Sequence, residues 1–537
     1  MTAKQLPEHP NLDHLKRQAK DLLRDARAND APALARFRIL PAFARRPDAD
    51  IARDPIGLHD AQSVIAREYG LDSWNALRER IEELTLEFGA AIDQFIEAST
   101  DDRPDRAERL LALHPGIARA NFYAALVVGE VETVERHLAD GARRVIERGG
   151  PRGWQPLHYV CYTAIGARSD SREAGLVVIA KRLITLGADP NLRFPWRHHE
   201  VERPVLWGAV RVVRSLPLAR VLLDAGADPS DGVTLPLAAG EGNLAALDLL
   251  LSYGADVNRP WATDGAAPLY EILHWCQTTD GARWLLEHGA DPDPVRETNG
   301  ETPLHVVAAK WDAALAAELV NRGADVARQR ADGRTPYAVA ELNGNRDVAA
   351  WLLAHGASRE LSEVDQLVAA CSRGDRSEVS ALLTRRPDLR DEIGPEHYQS
   401  LYRAAERNDV AALEAMLACG FDINRPDESI GKTALHVAAM EGWPDAVRLL
   451  LAHGASLDVR DREFNAQPLI WAAEGSRMPR PDRDHAAVGR LLLDAGSTVE
   501  WDTGAEPAES ILEIVEAWRK TSRHGDVVET GLKGGMS

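Results

Sequence analysis

The chain is short of cysteine, short of positive charge and without a long apolar run, and each shortage closes off a class of protein. Its four cysteines, Cys161, Cys276, Cys371 and Cys419, are widely spaced in 537 residues and form no CxxC pair. That spacing argues against a disulfide framework or a zinc site and suits a reducing cytoplasm. The 63 Lys and Arg are outnumbered by 83 Asp and Glu, leaving a net charge of −20. Non-specific binding to nucleic acid or to anionic membrane rewards positive charge, so neither is an expected partner. No segment reaches the roughly 18 apolar residues of a membrane-spanning helix. The polar start, Met1 to Pro10, lacks the apolar core of a secretion signal. Catalytic patterns are missing too: there is no HExxH, GxSxG, GxGxxG, phosphate-binding GxxxxGKS/T or EF-hand loop. The expectation is a non-enzyme with no cofactor and no metal.

What is present is a repeat, as a chain too long for one compact core requires. An apolar helix ending in Gly-Ala-Asp or a near variant recurs at Gly141, Gly187, Gly226, Gly254, Gly289, Gly323, Gly356, Gly420, Gly454 and Gly496. Successive gaps of 28, 35, 34 and 33 residues run from Gly226 to Gly356, and 34 separate Gly420 from Gly454. A second phrase keeps step: Thr302-Pro-Leu-His305, Thr335-Pro-Tyr-Ala338 and Thr433-Ala-Leu-His436 each lie 18 residues ahead of the next glycine, counted from the fourth residue. Weaker copies begin at Gln155, Ala267 and Gln467.

Each piece has a mechanical reason. Asp264-Gly265, Asn299-Gly300 and Asp332-Gly333 suit the tight turn of a hairpin finger, because both residue types tolerate positive φ. Thr caps the following helix, and Pro in its first turn loses no hydrogen bond. Paired alanines such as Ala438-Ala439 let two helices approach, while Val447, Leu449, Leu450 and Leu451 supply a buried face. The closing glycine ends the second helix in a left-handed conformation.

This pattern resembles the ankyrin repeat, a turn plus two helices with a period of about 33 residues. The resemblance implies an all-α ankyrin-repeat solenoid of about 12 helix-turn-helix units with hairpin fingers. Clear copies start near Trp154, Arg203, Gly232, Gly265, Gly300, Gly333, Gly431 and Asn465, and degenerate ones near Ala90, Asn121, Asp365 and Tyr398. The expected organisation is a helical capping region over 1–87, the array over 88–500, a capping helix over 501–520 and a frayed tail over 521–537. In the first region, Leu12, Leu15, Ala19, Leu22, Leu23 and Ala26 follow a helical stripe. Together with Asp60–Tyr69 and Ser73-Trp74, the segment starting at Leu12 resembles the leader of many bacterial ankyrin-repeat proteins. It implies a bacterial source and a helical cap, and no activity.

The family resemblance implies binding to another protein, a scaffold or adaptor role. An enzyme built on the solenoid and an inhibitor or immunity-type binder are the rival readings. Candidate contact residues come from departures from the repeat. The finger after Gly187 is longer than its neighbours and carries Trp196, Arg197, His198 and His199. Trp and Arg are enriched at binding hot spots. Trp261 stands in a finger, and Trp275 and Trp311 fall on or just after first helices. The histidines at 158, 305 and 436 share one repeat position where other copies hold Tyr270, Ala338 or Ile470. That tolerance favours a structural hydrogen bond over shared chemistry. Two insertions, near 166–176 and 475–484, lengthen their units by 11 and 8 residues and are expected as loops between helices.

Overall fold

The structure is a computed structural model that describes residues 4–497, apart from 8–9, 41–42, 54–55, 102, 140, 196–201, 262–264, 277 and 478–479. Almost all regular structure among the described residues is helical, with one two-stranded sheet, and the class is all-α. The residues divide into two compact units, one of 1–79, 308–313 and 334–537, the other of 80–307 and 314–333.

The second unit is built of paired helices. In chain order these are Phe88–Thr100 with Pro104–Leu113, Phe122–Val128 with Val131–Leu138, Pro156–Cys161 with Asp170–Thr185, Thr234–Gly240 with Leu244–Ser252, and Pro268–Trp275 with Asp280–Glu287. Between residues 205 and 224 the first helix of the pair is a short turn, Val205–Trp207, running into a π-helical stretch, Gly208–Val213. The pairing predicted from the repeat near 90 and 121 is therefore real, although the phrase there is degraded. The first unit repeats the scheme with Pro336–Leu342 and Arg346–Ala354, Glu363–Ser372 and Arg376–Arg385, Tyr398–Glu406 and Val410–Ala418, Ala434–Met440 and Pro444–Ala452, and Pro468–Ser476 and His485–Asp494. Residues 12–27 and 58–68 of that unit form two further helices, the first buried on the stripe Leu15, Ala19, Leu22 and Ala26.

Local chemistry explains the starts and the spacing. Proline sits in the first turn at Pro156, Pro268, Pro336, Pro444 and Pro468. The Thr335 hydroxyl accepts the Ala338 N–H at 3.3 Å, capping its helix as the sequence predicts. Ala438, Ala439, Val447 and Leu450 are wholly buried, and each large one contributes about 1.5–3 kcal/mol by leaving water.

A carboxamide latch joins successive pairs. Asn191 Nδ2 donates to the Gly226 carbonyl at 2.9 Å while its Oδ1 accepts the Asp228 N–H at 2.8 Å. Asn258 makes the same two bonds to Gly289 and Asp291, and Asn424 to Gly454 and Ser456. The side chain satisfies backbone groups that the end of a helix leaves unpaired.

The two insertions are not the free loops expected. Residues 166–168 form a 3-10 turn, and the next ones wind the first turns of a 16-residue helix, Asp170–Thr185. Its start presses on the loop at Gly129, where a Cβ on Gly175 would lie 2.0 Å from the Gly129 carbonyl oxygen. Arg172 pairs with Glu108 at 3.0 Å and Arg168 with Asp105 at 2.7 Å, both on the helix Pro104–Leu113. The second insertion folds over the turn at 440–443. A Cβ on Gly475 would lie 2.0 Å from the Met440 carbonyl oxygen. Arg480 and Arg483 reach Glu441 at 3.0 and 3.3 Å, and the Arg483 guanidinium lies 3.6 Å from the Trp443 ring centre.

Candidate functional site

Finger histidines are held as structural parts. His436 Nδ1 accepts the Thr433 N–H at 3.2 Å, which leaves the proton on Nε2 to donate to the Ala466 carbonyl at 3.1 Å. His305 Nδ1 likewise accepts the Thr302 N–H at 3.2 Å. Burial lowers the pKa of His436. His158 is buried among the rings of Trp154, Tyr162 and Phe194, and that burial pushes its pKa down to about 4. All three imidazoles are buried members of the packing.

In the long finger, Arg193–Pro195 pairs antiparallel with Glu202–Pro204. The candidates Trp196, Arg197, His198 and His199 lie outside the described residues. The other three tryptophans are described. Trp261 is half-buried and its backbone closes its finger, donating to the Ala266 carbonyl at 2.8 Å. Trp311 is half-buried beside the Lys310 ammonium, 4.9 Å from the ring centre, and its carbonyl accepts from Asn345 at 2.7 Å. Trp275 differs from both. It ends a helix whose residues Pro268–Leu273 are all buried, yet it is 65% exposed.

A connected polar and aromatic cluster surrounds that indole. His274 meets Trp275 edge-on at 4.7 Å and stacks on Tyr270 at 5.7 Å. The Tyr270 hydroxyl donates to Glu301 at 2.7 Å, and the Arg296 guanidinium lies 5.4 Å from the Tyr270 ring centre. Arg330, from the next finger, pairs with the other Glu301 oxygen at 3.0 Å. Burial alone would raise the Glu301 pKa, but the bonds from Tyr270 and Arg330 outweigh it and hold the carboxylate ionised. Burial and that carboxylate together push the Tyr270 phenol up. Sequence reasoning used Tyr270 only as proof that the histidine position varies. Its place between two fingers, with Arg296 and Glu301, was the missed signal. Among the described residues, no group of three or more His, Cys, Asp or Glu is arranged to hold a metal ion.

Helix pairs in register, finger turns and inter-pair latches define a helical repeat protein. Residues 273–365 and 401–500 match the family model described as ankyrin repeats (3 copies), so the chain carries ankyrin repeats. Among relatives, it is 33% identical over 129 residues to ankyrin repeat and SOCS box protein 6 of Mus musculus, covering 23% of this chain and 29% of that protein. It is 30% identical over 305 residues to ankyrin repeat and KH domain-containing protein mask-1 of Caenorhabditis elegans, 56% of this chain and 11% of that one. With rabankyrin-5 of Mus musculus it shares 27% identity over 219 residues, 37% of this chain and 19% of that protein. The chain thus spans less than a third of the length of these relatives. The helix pairs before residue 273 lie outside the segments matched by that family model, and there the repeat phrases of the sequence coincide with the helix pairs of the structure.

Proposed function

We propose that this chain is a scaffold that holds another protein, seated on the second unit over Trp275 and the Tyr270–Arg296–Glu301 cluster. The observation that carries the reading is the exposure of Trp275, a large aromatic left open at the end of an otherwise buried helix. Covering such a ring releases water from a wide surface, and the neighbouring ionised and phenolic groups supply directional contacts. The cluster's side chains already bond one another in the free chain, so less ordering entropy opposes association. The kinship with proteins named for their ankyrin repeats supports a binding role over a catalytic one. Trp196, Arg197, His198, His199, Trp261 and Trp311 are further candidate contact residues. A cytoplasmic setting belongs to the same reading and rests on four cysteines that remain free. A bacterial source rests on the resemblance of the amino-terminal helices, and residues 1–87 are read as a region separate from the helix pairs.

Affinity capture from the source cytoplasm, followed by titration of any recovered partner, tests the proposal. Trp275→Ala is expected to weaken that partner by about tenfold or more, as hot-spot truncation does. Trp311→Ala is expected to have a smaller effect. An unchanged affinity for Trp275→Ala would overturn the placement.

A further inference from the structure

Cys371 and Cys419 stand 48 residues apart in the chain, and the fold brings their sulfurs to 3.2 Å. Cys371 lies near the end of the helix Glu363–Ser372, and Cys419 caps the end of Val410–Ala418 in the next helix pair. Both side chains are fully buried in a core that includes Leu367, Leu401, Leu413 and Met416. A separation of 3.2 Å brings the thiols close enough for one to donate its S–H to the other. A disulfide needs about 2.05 Å, so a further approach of roughly 1 Å joins them. The thiols are also unequal. The hydrogen bond donated by Cys371 raises its own pKa and lowers that of Cys419, burial opposes the second effect, and nearby Arg390 aids it. Cys419 is therefore the better nucleophile of the two.

We infer that Cys371 and Cys419 form a peroxide-responsive pair whose oxidation covalently ties two neighbouring helix pairs together. The Cys419 thiolate attacks one oxygen of hydrogen peroxide. The O–O bond breaks, and the departing hydroxide takes up a proton to become water. The resulting sulfenic acid is attacked by the Cys371 sulfur, the S–O bond breaks, and the second hydroxide leaves with the Cys371 proton as water. Two thiols are oxidised to one disulfide, and one peroxide is reduced to two waters. The consequence is regulatory: the joint between the helices 363–385 and 398–418 becomes cross-linked, which restricts its unfolding.

The test treats the full chain with hydrogen peroxide, alkylates the remaining thiols and maps a non-reduced digest by mass spectrometry. Free thiols are expected to fall from four to two, with a peptide joining Cys371 to Cys419. The thermal midpoint should rise by about 4 °C or more and return on addition of dithiothreitol. Cys371→Ala and Cys419→Ala should each abolish both the cross-link and the shift. Retention of four thiols, or sulfinic acid at Cys419 without a cross-linked peptide, would overturn the inference. A cross-link with no change in the midpoint would overturn its regulatory half. The wild-type map decides the chemistry even if a variant fails to fold.

Discussion

The insertions at 166–176 and 475–484 meet the same problem with different materials. Both add chain inside a helix pair, both bring a glycine against a carbonyl where no Cβ fits, and both spend arginines on carboxylates of the array. The first becomes helix and reaches as far as Pro104–Leu113 through two ion pairs, of which Arg168–Asp105 lies at the surface with Asp105 79% exposed. The second leaves the helix Pro468–Ser476 after its first residues and lays Arg483, only 13% exposed, over Trp443. Extra length in a repeat is therefore no sign of a free binding loop. A glycine in the insertion and an acidic or aromatic residue in its neighbour mark a strap that holds the array together.

The comparison breaks first at its glycines. Gly175→Val and Gly475→Val should each cost about 3 kcal/mol or more, because the obstructing atom is backbone and cannot swing aside. Chemical denaturation should show lower midpoints for both, and equal stability for either variant would remove that strap from the account.

Acid should then separate the two regions. His158 stands just ahead of the first insertion, and Ile470 holds the same repeat position ahead of the second. Burial lowers the His158 pKa from 6.5 to about 4. The unfolded chain takes up a proton as pH falls through 6.5 while the folded chain resists until about 4. Its contribution is complete above pH 6.5 and is lost between 6.5 and 4, at most about 3 kcal/mol. Hydrogen exchange in the helix Pro156–Cys161 should speed up over that window, and His158→Leu should flatten the response. The helix Pro468–Ser476 has no such group at the equivalent position.

Smaller effects follow from the arginines. Arg483→Ala should destabilise by about 1–2 kcal/mol, since it removes a cation from an aromatic face and leaves Glu441 with one partner fewer. Arg483→Lys should recover only part, because an ammonium lacks the planar stack. Arg168→Ala should cost about 0.5 kcal/mol at low salt and much less at 1 M, whereas the Arg483 effect should persist. A salt response of the opposite rank would reverse the distinction between an exposed strap and a covered one.

Much of the fold was legible in the sequence because the repeat is built from local rules. Thr433 and His436 are three residues apart, and the proline starts and glycine ends need only a helix to make sense of them. The degenerate pairs near Asn121 and Asp365 were legible by spacing. What escaped were meetings over long separations. Arg172 finds Glu108 across 64 residues and Cys371 finds Cys419 across 48, and neither pair shares a motif. The exposure of Trp275 was also beyond reach, since its helix phrase fits a buried face equally well. Tyr270 showed as a substitution for histidine, but its bond to Glu301 depends on the next finger.

The carboxamide latches have a bearing on how such a chain changes length. Asn191, Asn258 and Asn424 bind only main-chain atoms of the following pair, so the joint is indifferent to which side chains that pair carries. A whole helix pair can be duplicated, lost or exchanged and the seam re-forms with the same two hydrogen bonds. These three joints thus share one connector, and the side chains of the pairs they join are free to differ without altering it.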